Sequence, residues 1–146
     1  MVRPLTLIET ITIASAKLAA AGIAAARLDA EVLLSHILGK DRAWLFAHGQ
    51  DALAETAGGD FEAALRRRLR REPLQYILGT QEFWGLEFRV TPGVLIPRPE
   101  TELLVESALD AARKRNGRAA VLDLCTGSGC IVICLAKELP DASCVA

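Results

Sequence analysis

Apolar residues recur at helical spacing near the N-terminus. From Leu5 to Ala21 they fall mostly three or four positions apart, which predicts an amphipathic helix that Gly22 closes. The inward positions expected on this spacing are Leu5, Ile8, Ile11, Thr12, Ser15, Leu18 and Ala19. Residues 26–39 predict a second helix with a strong apolar face and a C-terminal glycine.

Polar and glycine residues mark further helix boundaries before residue 72. Asp41 is placed to cap a short third helix. Gly58-Gly59 predicts a break, and Asp60 after it is a good cap for a helix over residues 61–71. We therefore expect residues 1–72 to form a small all-helical domain.

The spacing changes from helical to alternating after Pro73, a residue that cannot continue a helix. Residues 81–90 alternate around Gly85, which predicts a β-hairpin with its turn at that glycine. Residues 94–96 are a third extended piece. We expect a hairpin linker over residues 73–96.

The remaining residues predict helices and short strands. Glu100 to Lys114 is amphipathic, with acids early and bases late, as suits the dipole of a helix that Asn116-Gly117 would end. Residues 142–146 have the character of a second strand. A sheet of one or two strands cannot bury both faces of a parallel layer, so we expect the chain to be a fragment of a longer protein.

The stretch VLDLCTGSGC, residues 121–130, organises the C-terminal part. It predicts a buried strand, a tight glycine turn and then a helix over Cys130–Glu138, the opening unit of a nucleotide-binding α/β fold. Glycines let backbone approach a ligand, and a helix N-terminus offers free N–H groups. The dinucleotide pattern would need glycine or alanine at position 132, where Val132 stands. A glycine turn in some other α/β domain stays an open alternative.

Composition narrows the classes of function. The formal net charge of −1 gives no case for direct binding of nucleic acid or of an acidic membrane surface. No apolar run approaches the roughly 20 residues that span a bilayer. Arg3 precedes an apolar stretch as in a signal peptide, but Glu9 and threonines interrupt that stretch, which favours an amphipathic helix.

The cysteines predict neither a metal site nor a disulfide framework. All four, at positions 125, 130, 134 and 144, lie in or after the glycine turn, and none forms a Cys-x-x-Cys pair. Cys130 and Cys134 are one helical turn apart and are expected to be small core residues. This usage fits a reducing cytoplasm.

A resemblance to a known family covers the chain. The run from Pro73 to Glu106, PLQYILGTQEFWGLEFRVTPGVLIPRPETELLVE, closely resembles the glutamine N5-methyltransferases of peptide chain release factors, the HemK-type enzymes. These carry Pro-x-Gln-Tyr-Ile-x-Gly, Phe-x-Gly-x-x-Phe-x-Val and Val-Leu-Ile-Pro-Arg-Pro-Glu-Thr-Glu, and each is present here in order. An upstream Arg-x-Asp-Ala-Glu-x-Leu-Leu spans Arg27 to Leu34, and Asp-x-x-x-Gly-x-Gly resembles the first motif of class I methyltransferases.

The resemblance implies a fold, a cofactor and a partner. The fold would be an all-α N-terminal helical bundle for substrate recognition over 1–72, a β-hairpin linker over 73–96, and the start of an α/β Rossmann-like class I methyltransferase domain over 97–146. The enzyme would transfer a methyl group from S-adenosylmethionine to the glutamine side-chain amide in the Gly-Gly-Gln loop of release factors. The implied cofactor-binding residues are Asp123, Cys125, Thr126, Gly127, Ser128 and Gly129. Residues 97–102 would lie beside the cofactor pocket, where the acids shape it or serve the fold alone.

The resemblance also identifies what the chain lacks. The family orients the weakly nucleophilic amide nitrogen with an Asn-Pro-Pro-Tyr motif, which does not occur in these 146 residues. We therefore expect no catalytic residue in this chain, no methyl transfer by it alone, and weak cofactor binding or none. The parent protein is expected to be a cytoplasmic monomer that binds no nucleic acid directly.

Two features keep other interpretations open. Cys125 stands where the family usually has glycine, which would cost about 1 kcal/mol or more at positive φ. Cys-Thr-Gly-Ser-Gly also resembles sister enzymes that methylate a glutamine of a ribosomal protein.

Arginines at positions 66, 67, 68, 70 and 71 form either a solvated helix face or a contact surface for an acidic or RNA-bound partner. A module that only binds release factors is the other alternative, and a nucleic-acid substrate has no support from the net charge.

Overall fold

The computed structural model describes residues 3–114 and 119–146 and divides into two compact units. The first unit runs to Leu78 and the second begins at Gly79. Each unit has its own cluster of buried apolar residues. The division falls after the position expected from Pro73, because a short helix over Leu74–Leu78 packs against helices of the first unit.

The first unit consists of helices in its described residues. They are α1 (Leu7–Ala20), α2 (Ala26–Leu38), α3 (Arg42–Ala47), α4 (Glu55–Leu69) and α5 (Leu74–Leu78). The predicted α1, α2 and α3 are confirmed, with Gly39 ending α2 in a left-handed conformation and Asp41 capping α3 through the Trp44 N–H. Thr6 and Glu9 form a capping box that starts α1.

The buried face of α1 differs from the predicted one. Leu7, Ile11, Ala14 and Leu18 face the core, whereas Leu5 and Ile8 are 44% and 40% exposed. Thr12 and Ala19 are also exposed. The face over Leu5 and Ile8 was wrong because α1 carries apolar residues, such as Ile8 and Ile13, outside its buried stripe as well, so the spacing alone allows more than one choice of face.

The predicted break at Gly58-Gly59 is also wrong. Helix α4 begins at Glu55 and runs through both glycines, so Asp60 lies inside the helix and caps nothing. Two helical glycines cost roughly 1 kcal/mol each relative to alanine. Burial of Phe61 and Leu65, which are 3% and 1% exposed, offsets that cost.

Gly59→Ala is therefore expected to stabilise the chain by about 0.5–1 kcal/mol, because alanine restricts the unfolded chain. A Cβ at Gly59 meets nothing within 4 Å. Urea unfolding measures the gain. Gly39→Ala is the matched control: it has equally open space, but its φ of +61° should make the same substitution destabilising. A loss of stability in Gly59→Ala would contradict the continuous helix.

Two buried carboxylates of α2 are paired with arginines. Arg68 Nε donates to Asp29 Oδ2 at 2.7 Å, and Arg27 Nε donates to Glu31 Oε1 at 2.9 Å. Arg42 Nε donates to the other Glu31 oxygen at 3.0 Å. These bonds tie α2 to α3 and α4, and they give buried charges the partners that they require.

The second unit begins with the predicted hairpin. Strands β1 (Thr80–Phe83) and β2 (Leu86–Arg89) are antiparallel, with Phe83 opposite Leu86. The turn at Gly85 is confirmed, although Trp84 belongs to the turn rather than to the first strand. Both turn residues have positive φ, as a two-residue type I′ turn requires.

After the hairpin, residues 94–96 form no strand within the described part of the chain. A short 3₁₀ turn over Pro99–Thr101 leads into α6 (Glu102–Arg113), so the predicted helix over 100–114 is confirmed with a 3₁₀ start. Its predicted end at Asn116-Gly117 lies outside the described residues.

The last elements have the predicted order of strand, helix and strand, but the prediction that the first strand is buried is wrong. Val121 is half-buried and Leu122 is 65% exposed, because a two-stranded sheet covers little of this strand. Strand β3 (Ala120–Leu122), helix α7 (Cys130–Glu138) and strand β4 (Ser143–Val145) form a β-α-β unit. The two strands are parallel, and Val121 pairs with Cys144. Helices α6 and α7 pack together with the hairpin around a core of Phe83, Phe88, Val105, Leu109, Ala112, Cys130, Cys134, Leu135 and Leu139.

Candidate functional site

The loop between β3 and α7 holds all the sequence-predicted site residues. Its first residue, Asp123, extends the strand ladder, since its N–H donates to the Val145 carbonyl at 2.9 Å. Its carboxylate turns back into the loop, where Oδ2 accepts from Thr126 Oγ1 at 2.8 Å. Gly129 N–H then donates to the Thr126 carbonyl at 2.9 Å. These bonds give the loop a defined shape.

Every second residue of this loop from position 125 has a left-handed backbone. The φ angles are +63° at Cys125, +59° at Gly127 and +77° at Gly129. A Cβ built on Gly129 would lie 3.1 Å from Ile133 Cδ1, so a larger residue there meets both strain and crowding. The two glycines are needed for this conformation.

Cys125 is the residue that departs from this requirement. It is exposed and non-glycine, and its φ of +63° is the conformation in which a Cβ is costly. A cysteine at position 125 was expected to be costly if its φ were positive, and the structure shows that it is. The backbone at Cys125 is therefore strained.

We expect Cys125→Gly to stabilise the second unit by about 1 kcal/mol, because glycine removes the Cβ penalty. Thermal unfolding with and without the substitution measures the gain. Ser128→Gly is the matched control, since Ser128 lies in the same loop without a positive φ, and there glycine should destabilise. Equal destabilisation by both substitutions would show that position 125 carries no strain.

The N-terminus of α7 faces this loop without a side-chain cap. Gly129 makes no side-chain capping bond, and the first turn carries no acid. The first N–H groups of the helix have no partner within it, so the loop ends at a set of free donors on the positive end of the helix dipole.

The buried cysteines behind the loop serve the core. Cys130 and Cys134 face inward from α7, as predicted, and burial raises the pKa of the Cys134 thiol to about 11. A thiol in that state is neutral and unreactive near neutral pH. Within the described residues, no group of three or more His, Cys, Asp or Glu side chains is arranged to hold a metal ion. Over the same residues, no helix has both the length and the apolar character that crossing a membrane requires.

Comparisons with known proteins agree with one another. Residues 9–79 match the family described as the PrmC N-terminal domain. The chain is 52% identical over 128 residues to the release factor glutamine methyltransferase of Geobacter sulfurreducens, which covers 88% of this chain and 44% of that protein. The corresponding protein of Koribacter versatilis is 47% identical over 136 residues, or 93% of this chain and 48% of the relative. The family match and these identities show that this chain is a relative of the HemK/PrmC proteins.

The chain spans about half the length or less of the curated relatives it matches. A third relative, from Burkholderia pseudomallei, is 50% identical over 117 residues, and the match covers 40% of its length. Each of these alignments is longer than residues 9–79, so the similarity extends beyond the segment that the family model matches.

The structure gives specific contacts to two motifs through which the family was identified. In Arg-x-Asp-Ala-Glu, both carboxylates are the buried ion-pair partners of α2. In Pro-Arg-Pro-Glu-Thr-Glu, Glu102 accepts from the Trp84 N–H at 2.9 Å, while Glu100 is exposed. The sequence analysis did not predict that Trp84 bonds to Glu102 and Glu138. The one feature of the sequence that pointed to Trp84 was its place as a large aromatic residue before a turn glycine.

The arginine cluster of α4 is engaged mostly within the first unit. Arg67 donates to Glu72 and to the Tyr76 carbonyl, Arg68 to Asp29, and Arg71 to the Ala21 carbonyl. Three of the five arginines, namely Arg67, Arg68 and Arg71, therefore bond within the first unit, which weakens the interpretation of the cluster as a contact surface for an acidic partner. The cluster fastens the end of α4 to α2, to α5 and to the segment after α1.

Proposed function

We propose that the protein containing this chain transfers a methyl group from S-adenosylmethionine to a glutamine side-chain amide of peptide chain release factors. The accepting residue is the glutamine of their Gly-Gly-Gln motif. The observation that carries the proposal is the Asp123–Gly129 loop, in a chain about half identical to proteins named release factor glutamine methyltransferase. Such an enzyme works where translation takes place, in the cytoplasm. The chain's cysteines, which predict no disulfide framework, agree with that reducing compartment.

The loop residues fit the implied cofactor. The left-handed glycines at 127 and 129 carry no Cβ, so backbone at the carboxyl end of β3 is open to close approach. The free N–H groups at the start of α7 provide donors beside it. When bound, S-adenosylmethionine supplies an activated methyl group on a sulfonium centre.

The chain's own residues would then bind and orient. Asp123 holds the loop through Thr126 and presents a carboxylate at the strand end, where an amino group or a water is a suitable partner. The backbone from Cys125 to Gly129 lines the loop, and Ser128 adds a half-buried hydroxyl. The β3–α7–β4 unit is the start of the Rossmann-like methyltransferase domain that we propose.

A chimera tests the proposed function. This chain replaces the matching N-terminal part of the Geobacter sulfurreducens protein, and the chimera is incubated with labelled S-adenosylmethionine and a release factor. We expect one methyl group on the glutamine of the Gly-Gly-Gln motif, located by peptide mass spectrometry. The intact Geobacter protein is the positive control, and a ribosomal protein substrate is offered in parallel. A folded chimera that leaves the release factor unmodified, or that prefers the ribosomal protein, would overturn the proposal.

We also propose that the helical unit contacts the release factor. A groove of about 670 Å³ lies between α1 and α4, and its apolar lining includes the exposed Leu5 and Ile13. Glu55 and Glu62 stand at its edge, and Lys17 pairs with Glu62 at 3.6 Å. The proposed role of the groove is that a segment of the release factor covers these exposed apolar side chains.

A pull-down tests this role. The chain is compared with a form that lacks residues 1–72 for capture of a purified release factor. Capture that depends on those residues is the expected result. Equal capture by both forms, or capture by neither, would mean that the helices do not supply the recognition.

A further inference from the structure

The hairpin turn of the second unit is strained. Trp84 has a φ of +54° and Gly85 a φ of +68°. Glycine adopts such a backbone freely, but tryptophan at the first turn position costs about 1–2 kcal/mol. A strained residue persists only where its surroundings hold it.

Three carboxylates hold this turn. The Trp84 N–H donates to Glu102 Oε1 at 2.9 Å, and the indole Nε1–H donates to Glu138 Oε1 at 3.4 Å. The Gly85 N–H donates to Glu82 Oε1 at 2.6 Å. The Trp84 ring also packs against the core of the unit.

Two of these carboxylates belong to different helices. Glu102 is the first residue of α6, and Glu138 is the last residue of α7. An acid suits the N-terminus of a helix, but at a C-terminus it opposes the helix dipole. The indole N–H gives the Glu138 carboxylate a hydrogen-bond donor at this position. Trp84 thus joins the start of α6 to the end of α7.

The other end of α7 carries the candidate cofactor loop. Helix α7 has nine residues, so its ends lie roughly 13 Å apart. Cys134 and Leu135 of α7 pack in one core with Val105 and Leu109 of α6. Because a short packed helix moves as a rigid body, fixing one end restricts the other.

We propose that the hairpin tip is a clamp that positions the cofactor loop, with Trp84, Glu102 and Glu138 as positioning residues. The clamp fixes the C-terminal end of α7 against α6 and so holds Gly129, at the other end, in its left-handed conformation. The naming of the loop as a cofactor loop rests on the proposed function. The mechanical coupling does not, and it is tested without any cofactor.

Amide hydrogen exchange in the 146-residue chain is the test. The reporters are Gly129, whose N–H bonds to Thr126, and Ile133, whose N–H bonds to Gly129. In Glu102→Ala and Trp84→Phe, exchange at both reporters should become about tenfold faster than in a control of equal stability. Trp84→Phe removes the indole donor and leaves the backbone bond. Glu102→Gln keeps a carbonyl acceptor and should restore slow exchange.

The unsubstituted chain, in enough urea to lower its free energy of unfolding to that of each variant, supplies the control of matched stability, since urea leaves the clamp residues in place. The proposal is wrong if exchange at Gly129 and Ile133 rises no more in the clamp variants than in this control. Glu102 and Trp84 would then stabilise the hairpin alone. It is also wrong if exchange in Glu102→Gln is as fast as in Glu102→Ala. A chimera without methyl transfer would overturn the proposed function but leave these exchange rates unchanged.

Discussion

Arg68→Ala is expected to destabilise the helical unit by about 3–5 kcal/mol, since it leaves a buried charge without its partner. Asp29 is 5% exposed, and its Oδ2 accepts from Arg68 Nε at 2.7 Å. The same guanidinium donates from Nη1 to the Glu72 carbonyl at 2.9 Å. The substitution thus removes the cation paired with Asp29 and a bond to the segment that follows α4.

Urea unfolding followed at the amides of Leu33 and Leu34, which are buried in α2, measures this loss. Arg66→Ala is the matched control: Arg66 is exposed on the same helix, so its loss should stay within about 0.5 kcal/mol. Adding Asp29→Asn to Arg68→Ala should recover part of the stability, because the buried charge is then gone. Equal effects of the two arginine substitutions would contradict the account of Asp29.

Phe83→Ala is expected to destabilise the second unit by about 3–5 kcal/mol. Phe83 is 1% exposed at the end of β1, and its ring meets that of Phe88 edge-on at 6.2 Å between centroids. It belongs to the core that the hairpin shares with α6 and α7. Removing the ring leaves a cavity where two strands and two helices meet.

The methyl resonances of Val105 and Leu109, followed through denaturant unfolding, measure the effect. Leu95→Ala is the control, because Leu95 lies in the same unit but is 73% exposed and should change stability by less than about 0.5 kcal/mol. If Phe83→Ala cost no more than Leu95→Ala, the hairpin would be a loose linker rather than a part of this core.

The sequence correctly predicted the elements that depend on interactions between residues close together in the chain. Cys130–Glu138 is a helix between its predicted ends, because the glycine before it and the apolar run within it both act over a few residues. The glycine turn of the hairpin followed for the same reason. The face of α1 was wrong because this helix carries apolar residues on more than one side, and the periodicity alone does not decide which of them is buried.

Contacts between distant residues were not predictable from the sequence. Arg68 and Asp29 are 39 positions apart, and Trp84 and Glu138 are 54 positions apart. The continuity of α4 through Gly58-Gly59 depends on the same kind of information, since the core around Phe61 stabilises a segment whose own propensity is poor. The strain at Cys125 likewise needed the backbone angle.

The affinity of the chimera for S-adenosylmethionine tests the central claim most directly, namely that the loop after β3 is the cofactor site. Asp123→Ala removes the carboxylate that holds Thr126, and Asp141→Ala removes an exposed carboxylate from the turn before β4. Calorimetric titration should show affinity at least about tenfold weaker for Asp123→Ala, a loss of roughly 1.4 kcal/mol, with Asp141→Ala unchanged. Equal affinities for the two variants would contradict the assignment of this loop.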